Sequence, residues 1–362
     1  MVQKMNFIFF LLLKYTALPC KLPKLFCCKR RRSLAGKGDR TDFFYKEILM
    51  LTTRERAELD SWARKKIFSI PVKLLLLPLF LIRRFLREHC PIFPLTLDKF
   101  NLVLTTRCTL HCKDCCNLMA YYSHPSDFKL EDLKGDMEDL LAAVHSIGCL
   151  QLIGGEPLLF KELPQLLDFL LPQKKIKSFL IVTNGTLIPS PELLERLKHP
   201  KVKVLISNYI RHSKNLNECY RVCKESGVRV WVIGLVWQEF DFTLPKGRSR
   251  EENCRVFRSC DRECHELFNG EYHLCSRSSN AVHLGMVPRD ENDYVNVRMR
   301  HGGDRKKIRE LQRKLYNLIY KTECLQTCDC CYGRQGDSRI IVDAEQLPPG
   351  THLNFKGEIV KN

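Results

Sequence analysis

What this 362-residue chain lacks narrows the field first. No apolar run reaches the roughly 20 residues that a spanning helix needs. The longest, Ile67 to Ile82, contains Lys73, is interrupted by Pro71 and Pro78, and is flanked by Arg64-Lys65-Lys66 and Arg83-Arg84. A segment packed against the protein or lying on a membrane surface fits these breaks better than a true span, so membrane association is expected to be peripheral at most. Elsewhere there is no internal repeat and no low-complexity tract. Basic residues are not interleaved with aromatics as in RNA binders, so nucleic acid is not an expected partner. The opening apolar stretch Met5 to Leu13 is cut by Lys14 and followed by no small-residue cleavage site, unlike a secretory signal.

What is present suits a globular protein of one large domain with additions: 44% hydrophobic and 28% charged residues. The formal charge of +18 is unevenly placed, because residues 1–49 carry eleven Lys and Arg against three Asp and Glu. These residues read as a basic, poorly ordered N-terminal extension, or as a mistranslated upstream segment, since Met50 would begin a cleaner domain. The nineteen cysteines are clustered rather than spread, in a chain longer than small disulfide-stapled folds, and that favours metal over disulfides.

The densest chemistry lies in Cys108-Thr109-Leu110-His111-Cys112-Lys113-Asp114-Cys115, three cysteines separated by three and then two residues. Iron–sulfur clusters are held by Cys thiolates, and a four-iron cubane given only three leaves one iron open. Structural zinc needs four closed ligands, usually in two separated pairs. Completion of a zinc site by Asp114, His111 or Cys116 is the competing reading.

From Phe100 onward, strand and helix signals alternate, which predicts βα units and a parallel sheet. Strands are expected at 101–105, 149–153, 179–183, 202–207 and 228–237. Helices are expected at 130–147, ended by Gly148, and at 163–171, 191–197 and 216–226. Five strands are visible and a sixth is not. Every motif sits at a strand's C-terminal end, where a βα barrel carries its catalytic groups. There Gly154 and Gly155 allow close backbone approach, and Glu156 offers a carboxylate.

Cys108, Cys112 and Cys115 fall on a CxxxCxxC pattern, followed at matching spacing by Gly154-Gly155-Glu156-Pro157 and Thr183-Asn184-Gly185-Thr186. On these motifs the chain resembles the radical S-adenosylmethionine (radical SAM) superfamily, well over residues 100 to about 237 and more loosely to about 346. Asp114 stands where that family usually has an aromatic residue. The resemblance implies an α/β fold, a partial (β/α) barrel, and a 4Fe-4S cluster on Cys108, Cys112 and Cys115. It implies an S-adenosylmethionine site at Gly154, Gly155, Glu156, Pro157, Thr183, Asn184, Gly185 and Ser207, with Glu156 accepting the ligand's ammonium. It further implies a strong reductant of flavodoxin or ferredoxin type as electron donor, and reductive cleavage of S-adenosylmethionine to a radical that takes a hydrogen atom from a substrate.

Beyond Trp237 the chain grows rich in Arg and Cys, with Cys254, Cys260, Cys264 and Cys275, then Cys324, Cys328, Cys330 and Cys331 after a helical stretch from about Asp304 to Tyr320. Phe268-Asn269-Gly270-Glu271-Tyr272 reads as a hairpin, since Asn-Gly favours the type I′ turn. This region resembles the SPASM and twitch domains of radical SAM enzymes, which carry auxiliary clusters. By that resemblance Cys264 (or Cys260), Cys275, Cys328 and Cys331 hold a second 4Fe-4S cluster; zinc on the same residues is the alternative. Ala344-Glu345-Gln346 is similar to the tail of radical SAM proteins associated with surface-polysaccharide genes.

The expected organisation is an extension over 1–49, a helical and apolar leader over 50–99, and the partial barrel over 100–245. The Cys-rich domain follows over 246–346, and a tail over 347–362. The substrate is expected to be a small molecule, a sugar unit of a glycan precursor, or a peptide; no N-terminal peptide-recognition module is visible. The clusters imply a reducing compartment, hence cytoplasm. The alternative from another class is a non-catalytic zinc scaffold or regulatory nucleic-acid-binding protein, which leaves residues 154–157 without a purpose.

Overall fold

In a computed structural model the chain divides into two compact units, Met1–Phe93 and Pro94–Asn362. The described residues are 95–234, 237–238, 244–260, 264–331, 333, 340–341 and 344–361. The extension 1–49, the leader up to residue 94 and the segment Ile67 to Ile82 lie outside them. Among the described residues no helix is long and apolar enough to cross a membrane.

Strand β1 (Thr96–Val103) is the centre of the sheet because it can be covered on both faces: Leu97, Phe100, Leu102 and Val103 are all buried. It pairs in parallel with β2 (Ser146–Ile153), followed outward by β3 (Phe179–Thr183), β4 (Val202–Asn208) and β5 (Val230–Gly234), all parallel. The crossover helices are α1 (Leu130–Ala143), α2 (Leu163–Leu170), α3 (Pro191–Leu197) and α4 (Leu216–Glu225). Alternation decides the layers. Leu150, Leu152, Phe179, Ile181, Val204 and Ile206 pack with Met137, Leu140, Leu163, Leu167 and Leu197 of the helices. Their neighbours Gln151, Ile153, Leu180, Val182 and Leu205 turn to the other face and stay half-buried. The result is a partial βα barrel.

The two largest boundary differences from the sequence expectation fall at β1 and α1. Strand β1 begins at Thr96 rather than 101, because Thr96 and Leu97 already pair with Ser146 and Ile147. Helix α1 stops at Ala143 rather than running to Ile147. Val144 adopts an extended conformation, and Ile147, fully buried, is worth more in the sheet than in the helix. Gly148 therefore lies within β2.

A sixth parallel strand does exist, on the other side of β1. It is β7 (Glu266–Phe268), which pairs through Asn101 and Leu102. The sheet order is β5-β4-β3-β2-β1-β7-β8-β9, with β8 (Glu271–His273) and β9 (Tyr294–Asn296) antiparallel. The turn between β7 and β8 is Asn269-Gly270, both at positive φ (46° and 81°), as a type I′ turn requires. The hairpin read as part of the Cys-rich region thus continues the barrel sheet. Short β6 (Trp237–Gln238) pairs with β10 (Ile340–Ile341), and β11 (Thr351–Leu353) with β12 (Ile359–Lys361).

The Cys-rich region adds α5 (Arg250–Ser259), α6 (Ser276–Leu284) and α7 (Arg305–Lys321). Helix α5 opens on a reciprocal capping box between Ser249 and Glu252. A buried ion pair ties the region to α1: Arg298 donates from Nε and Nη2 to the two oxygens of Asp136, at 2.9 and 3.1 Å. Asp139 accepts from the backbone N–H groups of Arg300 and His301 at 3.0 and 3.2 Å.

Candidate cluster and cofactor site

The cysteine loop leaves the end of β1 through a stiffened entry. Thr105, fully buried, donates to Asp127 Oδ1 at 2.6 Å and accepts from the Arg107 N–H at 2.9 Å, while Arg107 Nη1 meets Asp127 Oδ2 at 2.8 Å. The end of β2 closes against this entry by two backbone bonds, Gly155 N–H to Thr105 O at 2.9 Å and Glu156 N–H to Arg107 O at 2.8 Å. The glycines allow that approach. A Cβ on Gly154 would stand 2.6 Å from Thr105 O, and one on Gly155 would stand 2.7 Å from Cys108 Cβ.

Glu156 is 0% exposed and fixed by three donors: Thr183 Oγ1 (2.8 Å) and Leu158 N–H (3.1 Å) to Oε1, and Asn184 N–H (2.8 Å) to Oε2. Burial raises its carboxyl to about 7, with the three hydrogen bonds acting in the opposite direction. Asn184 in turn reaches the cysteine loop, its Nδ2 lying 3.0 Å from Thr109 Oγ1 and 3.6 Å from Cys108 Sγ. Thr109 and Thr186 also meet through their hydroxyls. Gly185 provides the left-handed turn (φ 70°) that sends Asn184 inward. The hydroxyl of Ser213 joins the Asn184 and Ser207 carbonyls, at 2.6 and 3.2 Å. The ends of β1, β2, β3 and β4 are thereby one connected polar set. Pro157 is buried beneath it, starting the short turn 157–159.

Burial pushes the thiols of Cys108, Cys112 and Cys115 up, each to about 12, and their mutual repulsion adds to it. Three such groups stay protonated at neutral pH unless a strong positive charge holds them as thiolates. Sulfur donors suit soft metals and iron–sulfur clusters. Among the described residues no three His, Cys, Asp or Glu side chains stand close enough together to hold a single ion. Three sulfur donors from one loop fit the thiolate ligation of an iron–sulfur cluster.

Two contributors were not legible as site residues in the sequence. Tyr209, just past β4, is half-buried beside the loop cysteines, and its hydroxyl is held well above the usual range, first by desolvation and then by Cys115. Its ring meets Trp237 edge to face, with centroids 5.5 Å apart. Gln346 donates from Nε2 to Cys112 Sγ at 3.0 Å. Along the chain, Ala344-Glu345-Gln346 carries nothing that would place it at the loop.

The second cysteine group lies around α6. Burial raises Cys275 and Cys328, and the charges of Cys331 and Cys260 raise both further. Cys275 and Cys328 therefore each lie within electrostatic reach of Cys260 and Cys331. Cys264 is half-buried just ahead of β7. Arg248 Nη1 clasps the 328–331 turn through the carbonyls of Cys328 (2.9 Å) and Cys331 (2.8 Å), and Gly333 N–H points to Cys331 Sγ at 3.3 Å.

Residues 102–207, from within β1 almost to the end of β4, match the model of the radical SAM superfamily. The matched segment carries the cysteine loop, Glu156 and Asn184. The chain is also similar to GTP 3',8-cyclase from Syntrophomonas wolfei subsp. wolfei, 31% identical over 104 residues, which are 28% of this chain and 31% of that protein. It therefore spans about a third of the length of that curated relative. Among solved structures it is similar to BtrN in complex with AdoMet and 2-DOIA (TM-score 0.41, 15% identity, 73% of this chain and 98% of that one). It is also similar to Streptococcus suis SuiB bound to S-adenosylmethionine (TM-score 0.34, 18% identity, 61% of this chain and 49% of that one).

Proposed function

We propose that this chain is a radical SAM enzyme whose Cys108, Cys112 and Cys115 hold a 4Fe-4S cluster. The observation that supports this reading is the meeting of Cys108, Glu156 and Asn184 in one hydrogen-bonded set at the C-terminal ends of three parallel strands. When bound, the cluster supplies the electron that cleaves S-adenosylmethionine reductively, and with it the radical that removes a hydrogen atom from the substrate. The protein's own part is positioning. An ionised carboxylate has about four acceptor sites, and Glu156 uses three on Thr183, Leu158 and Asn184. The remaining one is the acceptor for the ligand's ammonium. Gly154 and Gly155 leave room for backbone approach, and Thr183, Gly185 and Ser207 shape the wall on the ribose side. Tyr209, packed against Trp237, stands beside the loop cysteines.

A second cluster site is proposed on Cys275, Cys328 and Cys331 with Cys264 or Cys260 as the fourth ligand, since Cys275 and Cys328 each feel the charge of Cys331 and Cys260. The substrate proposed is a sugar unit of a glycan precursor or a peptide side chain, acted on in the cytoplasm with a flavodoxin- or ferredoxin-like donor. Protein reconstituted anaerobically with iron and sulfide, then given dithionite and S-adenosylmethionine, is expected to release 5'-deoxyadenosine slowly even without substrate. Cys112→Ser should abolish release. A wild-type protein whose cluster is shown reduced, yet which gives no 5'-deoxyadenosine above a protein-free control, would end the radical assignment.

A further inference from the structure

We propose that Gln346 is a positioning residue that sets the reduction potential of the cluster held by the 108–115 loop; this rests on the radical SAM reading of that loop. Gln346 lies 234 residues beyond Cys112 yet forms an antiparallel bridge with it. Backbone bonds flank the bridge on both sides: Lys113 N–H to Glu345 O and Leu347 N–H to His111 O, each 2.8 Å. The Gln346 side chain then makes three bonds that agree on its orientation. Oε1 accepts from the His111 N–H at 2.6 Å, while Nε2 donates to Cys112 Sγ at 3.0 Å and to Ala344 O at 2.8 Å. A flipped amide would set oxygen against oxygen and sulfur, and nitrogen against an N–H, so the donor faces the thiolate.

The strand carrying Gln346 is itself anchored. Leu347 is buried with Leu118, Ala120 and Tyr121 just past the third cysteine. Ala344 is 1% exposed and adopts the left-handed region (φ 44°), turning the chain into the bridge. Cys112 is only 6% exposed, so no water competes freely for the amide's place.

An N–H donor on a ligand sulfur favours the form with more negative charge, which is the reduced cluster. Gln346 therefore raises the midpoint, and removing the donor lowers it. The two roles of the side chain separate by substitution. Q346L loses both the donor and the acceptor. Q346E keeps the acceptor for His111 and sets a carboxylate against the thiolate. The expected order of midpoints is wild type, then Q346L, then Q346E lowest. For Q346L the reduced-to-oxidised ratio at fixed potential should fall about tenfold, about 59 mV for a one-electron couple. A purely structural clamp predicts the reverse order for the variants, because Q346E preserves the loop bond.

The test is an EPR-monitored redox titration of anaerobically reconstituted full-length wild type, Q346L and Q346E. It follows the signal whose g-values move when S-adenosylmethionine is added, with iron content measured alongside. The expected order supports the proposal. Unchanged midpoints, or loss of iron from both variants, would overturn it and leave Gln346 as a clamp, with the radical reading intact. Absence of any S-adenosylmethionine-responsive signal in the wild type would overturn both.

Discussion

The amide nitrogen of Asn184 lies 3.6 Å from the sulfur of Cys108, although 76 residues separate them. The backbone N–H of the same Asn184 holds Glu156 at 2.8 Å. One residue at the end of β3 therefore sets the distance between the cysteine loop and the buried carboxylate. On the proposed function, a ligand that needs both the cysteine loop and the carboxylate at once finds them prearranged.

Iron should be divided between two cysteine groups. Anaerobically loaded wild type is expected to hold about eight irons, as two cubanes. Ser at Cys328 and Cys331 together should leave about four, with S-adenosylmethionine binding retained. One of Cys260→Ser and Cys264→Ser should behave like that double variant and the other should keep the full complement. Iron and sulfide analysis checks this; a double variant that keeps the full iron complement would undo the second site.

S-adenosylmethionine affinity should fall as pH drops below neutrality. Burial lifts the Glu156 carboxyl to about 7, so under that pH it takes up a proton and stops attracting an ammonium. Well below its pKa the affinity loss approaches about tenfold per pH unit. On the alkaline side the ligand's own α-amino group, titrating near about 7.7 to 8.0, sets the opposite limb. Binding by calorimetry from pH 5.5 to 9 should show both limbs, with proton release near pH 7. Glu156→Gln should bind more weakly and lose the acid limb alone.

Glu266 should make the cluster-free protein less stable as pH rises. It is fully buried on β7, and burial raises it to about 8, against hydrogen bonds that include Ser279 Oγ at 2.6 Å. A carboxyl raised above its unfolded value keeps its proton longer in the folded state, so its contribution is whole below about 4.5 and lost as pH climbs through about 8. Glu266→Gln removes the titration. Its melting temperature relative to wild type should climb between pH 5 and pH 9, by the equivalent of a few kcal/mol, since each tenfold gain in proton affinity on folding corresponds to roughly 1.4 kcal/mol before local relaxation reduces it. A constant difference across that range would contradict the buried-proton account.

Much of this protein is written locally. The parallel strands β3 and β4 are short apolar runs whose buried residues recur at every second position, and the cysteine loop and the 154–157 turn are each one contiguous stretch. Neighbours in sequence suffice to recognise both, and the turn Asn269-Gly270 needed only its two residues. The short strand β7 is different. It has three residues with Glu266 at its start, and it counts as a strand only because β1 offers it an open edge at Asn101 and Leu102. Helix α6 holds Ser276, Ser278, Ser279 and Asn280 buried, which no periodicity rule would place inside; their partners, Glu266 among them, come from elsewhere in the chain. The arrival of Gln346 at Cys112 depends likewise on chain segments meeting at a distance. Spacing along the chain determines which sulfurs form the first loop, because a loop of eight residues can only close on itself. Which groups surround those sulfurs was decided by packing alone, since hydrogen bonds across 76 and 234 residues leave no mark on either sequence segment.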